Sequence, residues 1–146
     1  MLCAGNMRRE GWQTLDANPK NEPDFLAYIP QLPPAVTAIV WDEIEWIHGI
    51  TSFYPWEGRS LLGEVHGILS PGGKLVLEQP DFNNVIGHVE WIFGDPTYRN
   101  PLHMNKWSFT PSTLTAMLKD AGFSHIEILP AQHHVPERDF RVEAYR

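Results

Sequence analysis

Apolar residues at Leu61, Leu62, Val65, Ile68 and Leu69 fall at i, i+1, i+4, i+7 and i+8, which is one face of a helix over residues 55–70. Pro71, Gly72 and Gly73 stop it, because proline resists continuation and glycine accepts the positive φ of a helix terminus. A strand follows over residues 74–78 and closes on Gln79, Pro80 and Asp81. A second helix is predicted from Thr110, a capping residue, with Pro111 at the first helical position. It carries Leu114, Met117, Leu118 and Ala121 and stops at Gly122. Residues 125–129 and 140–145 read as two last strands, able to pair antiparallel across a polar loop that holds His133, His134 and Pro136.

The first third is less regular. Residues 1–6 form a short apolar stretch ending on Gly5 and Asn6, the tail of a strand entering a loop. A second short strand over residues 11–15 ends directly on Asp16, a carboxylate at a strand's carboxyl end. Residues 23–34 carry four prolines and are predicted to be mostly loop. Val36, Ile39 and Val40 then give a β-branched run, a buried strand over residues 35–41 followed by Asp42 and Glu43. This order of elements is that of an α/β fold with a mainly parallel sheet, an antiparallel pair at its end and a short first strand.

Composition narrows the picture. The 146 residues suffice for one hydrophobic core, so a single domain over residues 1–146 is expected. No apolar run reaches the ~18 residues of a membrane helix, and the first ten residues lack a basic stretch followed by an apolar one, so a cytoplasmic protein is expected. The single cysteine, Cys3, forms no internal disulfide and cannot alone assemble a thiolate zinc site. A net charge of −7 argues against holding nucleic acid by phosphate neutralisation.

Leu2-Cys3-Ala4-Gly5-Asn6 resembles the cofactor loop, of Leu-Gly-Ala-Gly-Asn type, of a small bacterial and viral group of class I S-adenosylmethionine-dependent methyltransferases. The resemblance continues through Arg9-Glu10-Gly11-Trp12, Asp16, Ile44-Glu45-Trp46-Ile47, Leu69-Ser70-Pro71-Gly72-Gly73 and Pro80-Asp81. It closes with Asp120-Ala121-Gly122-Phe123 and Arg138-Asp139-Phe140-Arg141-Val142-Glu143, and so covers nearly the whole chain. Cys3 stands where the group places its first loop glycine, and Trp46 where histidine is usual.

The resemblance implies a Rossmann-like fold and an enzyme that moves a methyl group from S-adenosylmethionine to an acceptor, a small molecule or sugar. Cys3, Ala4, Gly5 and Asn6 would then meet the cofactor's methionine portion, and Asp16 with Ala17 its ribose. The adenine ring would fall to Asp24, Phe25, Leu26 and Tyr28. Acceptor contacts are expected beyond the carboxyl end of the strand over residues 35–41, at Trp41, Asp42, Glu43, Glu45, Trp46 and His48, with His48, Glu45 and Asp42 as candidate catalytic groups and Trp41 and Asp42 also near the cofactor. No metal is implied, since adjacent His133 and His134 point to opposite sides of an extended loop. Tyr54, Trp56, Trp91, Tyr98, His103 and Trp107 form either a lid over a planar substrate or a cover for the core or for an interface with a second copy. Cys3 and Trp46 also motivate a second reading, a fold that has lost catalysis and serves as a binding subunit. A third is an enzyme using S-adenosylmethionine for another reaction.

Overall fold

The computed structural model describes all residues except 96, 98–100, 102 and 103, so the expectations for Tyr98 and His103 lie outside the described residues. Six strands form: β1 (Leu15–Asp16), β2 (Phe25–Leu26), β3 (Trp41–Ile47), β4 (Leu69–Pro80), β5 (His125–Pro130) and β6 (Asp139–Tyr145). β1 and β2 pair in parallel, and the other four make a sheet in the order β3-β4-β6-β5. Within that sheet β3 and β4 are parallel, while β6 runs antiparallel to both neighbours. Leu2 links the two sheets. It bridges Leu15 in parallel, and its N–H donates to the Glu45 carbonyl at 2.8 Å.

The helices α1 (Pro34–Thr37), α2 (Pro55–Ile68), α3 (Phe82–Val85), α4 (Val89–Phe93) and α5 (Pro111–Asp120) fill the connections. The two long ones form where the periodicity places them. Leu61, Leu62 and Val65 of α2 and Leu114 and Leu118 of α5 are fully buried, and they share one apolar cluster with Leu75, Leu77, Val142 and Ala144 of the sheet. Thr110 caps α5, its hydroxyl accepting from the Thr113 N–H.

The sheet differs from the sequence expectation at one consequential place. The strand expected over residues 35–41 instead starts at Trp41 and runs to Ile47. Pro33 and Pro34 start a short helix, α1, in which Val36 is buried, while Ile39 and Val40 are left exposed beyond it. The acidic residues that read as the strand's end lie inside it, because each has a partner. Glu43 pairs with Lys74 at 3.3 Å, Glu45 with Arg9 at 3.0 Å, and Asp42 accepts from the Ser70 hydroxyl at 2.8 Å. Charge in a strand is tolerated when a neighbouring side chain neutralises it. The carboxyl end of β3 is therefore Ile47, and the next residue is His48.

Candidate functional site

The site is built from backbone turns at the carboxyl ends of β1 and β3. The Asp16 carboxylate ties the Gly5 turn to the turn that follows β1: Oδ2 accepts the Gly5 N–H at 2.8 Å, and Oδ1 accepts the Asn18 N–H at 2.7 Å and the Asn21 side-chain amide at 3.1 Å. Gly5 is in the left-handed region at φ +56°, and a Cβ there would meet no atom within 4 Å. It borders a cavity of about 510 Å³ that Cys3, Gly5, Asp16, Ala17, Tyr28 and His48 help to line. That volume lies within the ~300–1,000 Å³ range of small-molecule and cofactor sites.

Cys3 carries the cost of replacing glycine. It sits at φ +50°, a conformation disfavoured for a residue with a side chain. Burial pushes its thiol up to about 12, against a smaller opposing effect of the Trp46 indole. The thiol is therefore protonated at neutral pH. Trp46 is fully buried beneath it, and Gly49 passes so close that a Cβ would lie 2.5 Å from Trp46 Cδ1 and 2.8 Å from the Cys3 Cβ.

Several expected contacts lie elsewhere. Asp24 is exposed and folds back on Thr14, accepting its N–H at 2.7 Å and its hydroxyl at 3.0 Å, which lowers the carboxyl's pKa. Trp41 and Asp42 lie at the amino end of β3 and Glu45 in its middle, a direct result of the strand's displacement, so none of them lines this cavity. Asn6 is exposed beyond the turn, and Ala4 is buried with its N–H on the Leu15 carbonyl. With β3 placed at Trp41–Ile47, His48 is the residue that lies just beyond its carboxyl end, where open α/β sheets carry their sites.

His48 turns the chain out of β3 at φ +54°, with its N–H on the Glu78 carbonyl at 2.7 Å. Its ring Nε2 lies 2.7 Å from Oδ2 of Asp139, the fully buried first residue of β6. Arg138 forks onto the same carboxylate through Nε at 2.5 Å and Nη2 at 2.7 Å. Burial alone would raise the Asp139 carboxyl. The hydrogen bonds from Arg138 and His48 outweigh it and hold it down at about 2. An ionised carboxylate accepts and cannot donate, so the hydrogen of this contact is carried by His48 Nε2 and points toward Asp139.

The His133-His134 loop is not the purely solvated segment its composition suggests. The buried Glu78 carboxylate accepts the N–H groups of Gln132, His133 and His134 at 2.8 to 2.9 Å. So held, the His134 ring stacks on His48 with centroids 3.9 Å apart. Burial, and then the His48 charge, lower the His134 pKa. His48, His134 and Asp139 bring ligand-type atoms within 4.8 Å of one another, yet the Arg138 fork occupies both oxygens of Asp139 and sets a cation where an ion would need open lone pairs.

His48 and Ser52 also border a second, smaller cavity of about 280 Å³. Among the aromatic residues, Trp91 lines this second cavity, Trp107 borders a separate apolar one, and Tyr54 and Trp56 stack on each other in solvent. Sequence reasoning missed Asp139, Ser52 and the role of Glu78. The signal for Asp139 was its place within the Arg138-Asp139 stretch of the resemblance; its partner lies 91 residues away.

Solved structures give the fold a context. A methyltransferase dependent on S-adenosylmethionine from Archaeoglobus fulgidus is 14% identical, with a TM-score of 0.63 over 91% of this chain and 75% of its own. The N-methyltransferase NodS of Bradyrhizobium japonicum, solved with S-adenosylhomocysteine, is 13% identical, with a TM-score of 0.61 over 90% of this chain and 64% of its own. This is the class I methyltransferase fold. An O-methyltransferase family protein of Burkholderia thailandensis shares that fold at 15% identity and a TM-score of 0.59, over 84% of this chain and 35% of its own. The chain thus spans about a third of its longer structural neighbours, 32% of one from Nostoc punctiforme. No protein-family model matches the chain, and no curated protein does. No helix among the described residues is long and apolar enough to cross a membrane.

Proposed function

We propose that the chain is a methyltransferase that binds S-adenosylmethionine in the cavity between the Cys3–Gly5 turn and His48, and methylates a small-molecule acceptor. One observation carries this reading. The Gly5 N–H and the Asp16 carboxylate meet at 2.8 Å on a single cavity at the carboxyl ends of the strands. The class I methyltransferase fold supplies the context in which such a cavity takes this cofactor.

The residues fit the group. Gly5 leaves room for a close backbone approach, since a Cβ there meets nothing within 4 Å. A carboxylate offers about four lone-pair positions. Three on Asp16 are used within the protein, so Asp16 suits one ribose hydroxyl rather than two. Ala17 and Tyr28 extend the same wall toward the adenine end.

When bound, the cofactor supplies a methyl carbon made electrophilic by a sulfonium. Gly5, Asp16 and Ala17 would hold the cofactor so that this methyl group is presented to the acceptor's oxygen or nitrogen. The chain's part is orientation and removal of the acceptor's proton. His48 Nδ1 takes that proton and passes it to solvent, while the Asp139 carboxylate stabilises the imidazolium.

Calorimetric titration with S-adenosylmethionine and S-adenosylhomocysteine tests the reading. Saturable binding of both, weakened in Asp16→Ala, supports it. A well-folded sample that binds neither would favour the alternative of an inactive fold, toward which the strained Cys3 points. Mass spectrometry of products separates methyl transfer from any other use of the cofactor.

A further inference from the structure

The cavity of about 280 Å³ beyond His48 has no role in cofactor binding as described, yet it shares His48 and Ser52 with the cofactor cavity. A molecule in it lies against the one imidazole that borders both spaces. Its size, about nine water volumes at roughly 30 Å³ each, suits a molecule of roughly ten non-hydrogen atoms.

Hydrogen-bond donors dominate what the protein leaves unused there. Arg138 commits Nε and Nη2 to Asp139, and its Nη1 has no hydrogen-bond acceptor among the described residues. Asn105 receives the Thr51 hydroxyl on Oδ1 at 2.8 Å, so its NH₂ remains to donate. The Ser52 hydroxyl is a third donor on the same lining. Against these stands one anion, Glu90, more than half exposed and 3.7 Å from His88. Arg138 is the less exposed of the two, at 22% against 53% for Glu90, so the positive charge on the lining is the better shielded from solvent. Pro80 and Trp91 add an apolar wall.

We propose that this cavity is the acceptor site, and that the acceptor is a small hydroxylated carboxylate. Its carboxylate meets Arg138 Nη1 and the Asn105 NH₂, and its hydroxyl faces His48 Nδ1. The assignment rests on the reading of the neighbouring cavity as the cofactor site. A guanidinium held rigid by its own carboxylate partner is a preorganised anion donor, because its rotamer is fixed before the ligand arrives.

The test is an NMR titration of the full chain, with and without S-adenosylhomocysteine, following the Trp91 indole N–H. The probes are 4-hydroxybenzoate and lactate, each beside its neutral amide, 4-hydroxybenzamide and lactamide. At least one carboxylate shifts the Trp91 signal saturably and binds about tenfold tighter than its amide, the scale of one charge-assisted hydrogen bond. Asn105→Ala, which leaves the Arg138–Asp139 pair intact, reduces that preference, and Arg138→Gln abolishes it. Carboxylates and amides that bind equally, or carboxylates that leave the Trp91 signal unmoved, overturn the proposal. S-adenosylhomocysteine keeps the two readings apart. Its binding without any carboxylate preference sinks the acceptor site alone, whereas a carboxylate preference without its binding sinks the cofactor reading and with it the acceptor role, leaving only a carboxylate site.

Discussion

Asp16 and Asp139 are both buried carboxylates, Asp16 lining the larger cavity and Asp139 reaching it only through His48, and they are held in opposite ways. Asp16 ends a two-residue strand and collects neutral donors, two backbone N–H groups and one side-chain amide. Asp139 opens a seven-residue strand in the packed sheet and is gripped by a guanidinium and an imidazole. Neutral donors organise a loop around a carboxylate without adding charge. The Arg138 guanidinium helps hold the carboxylate ionised, and the carboxylate in turn orients the His48 ring. The proposed cofactor edge is thus set by local turns, and the proposed base by long-range sheet architecture.

The sharpest way to break this contrast is Asp139→Ala. It strands Arg138 and His48 without their anion, and about 3 kcal/mol of stability should be lost on the scale of broken buried pairs. Urea unfolding measures it, and a loss within error of zero would show that the sheet edge does not depend on the ion pair. Gly49→Ala tests the junction between the edges. The added methyl overlaps the buried Trp46 indole, and roughly 2 kcal/mol should be lost through forced repacking.

Asp16→Ala should act on the ligand more than on the fold. Cofactor affinity falls by about 1 to 3 kcal/mol, read by calorimetry, as a hydrogen bond to a charged group is lost and the Gly5 turn is released. Acid should separate the two edges further. Asp139 is held below its unfolded value, so its contribution is complete above the ordinary carboxylate range and is lost as the pH falls toward about 2. That contribution is about 2 kcal/mol by linkage, and Asp139→Asn should flatten the corresponding part of the stability profile. The smallest change is Cys3→Gly. Relief of the left-handed strain, about 1 kcal/mol, is partly offset by the greater freedom of glycine in the unfolded chain. Cofactor affinity should hold or rise; a fall would assign the thiol a contact of its own.

What the sequence made legible follows the same division. The helices of the packed half were readable because Leu61, Leu62, Val65, Leu114 and Leu118 repeat with helical period, and burial of that face is what forms them. Asp16 was readable because a carboxylate directly after a short apolar run needs no distant information. β3 was not, since its Glu43 and Glu45 look unfit for a strand until Lys74 and Arg9 are known to lie beside them. β2 escaped notice because two residues carry no period, and its pairing to β1 is what makes it a strand. The His48–Asp139 contact joins positions 91 apart, and the antiparallel return of β6 alone brings them together.

Leu2 bears on how the halves move. Its amide on the Glu45 carbonyl and its bridge to Leu15 form a single rung between the two-stranded edge and the four-stranded sheet. A rung of one residue resists shear poorly compared with the seven paired positions that lock β4 to β6. Opening there would let the Gly5 turn swing as a flap while the His48 imidazole stays anchored. Amide exchange at Leu2 faster than at Leu77 would register that swing.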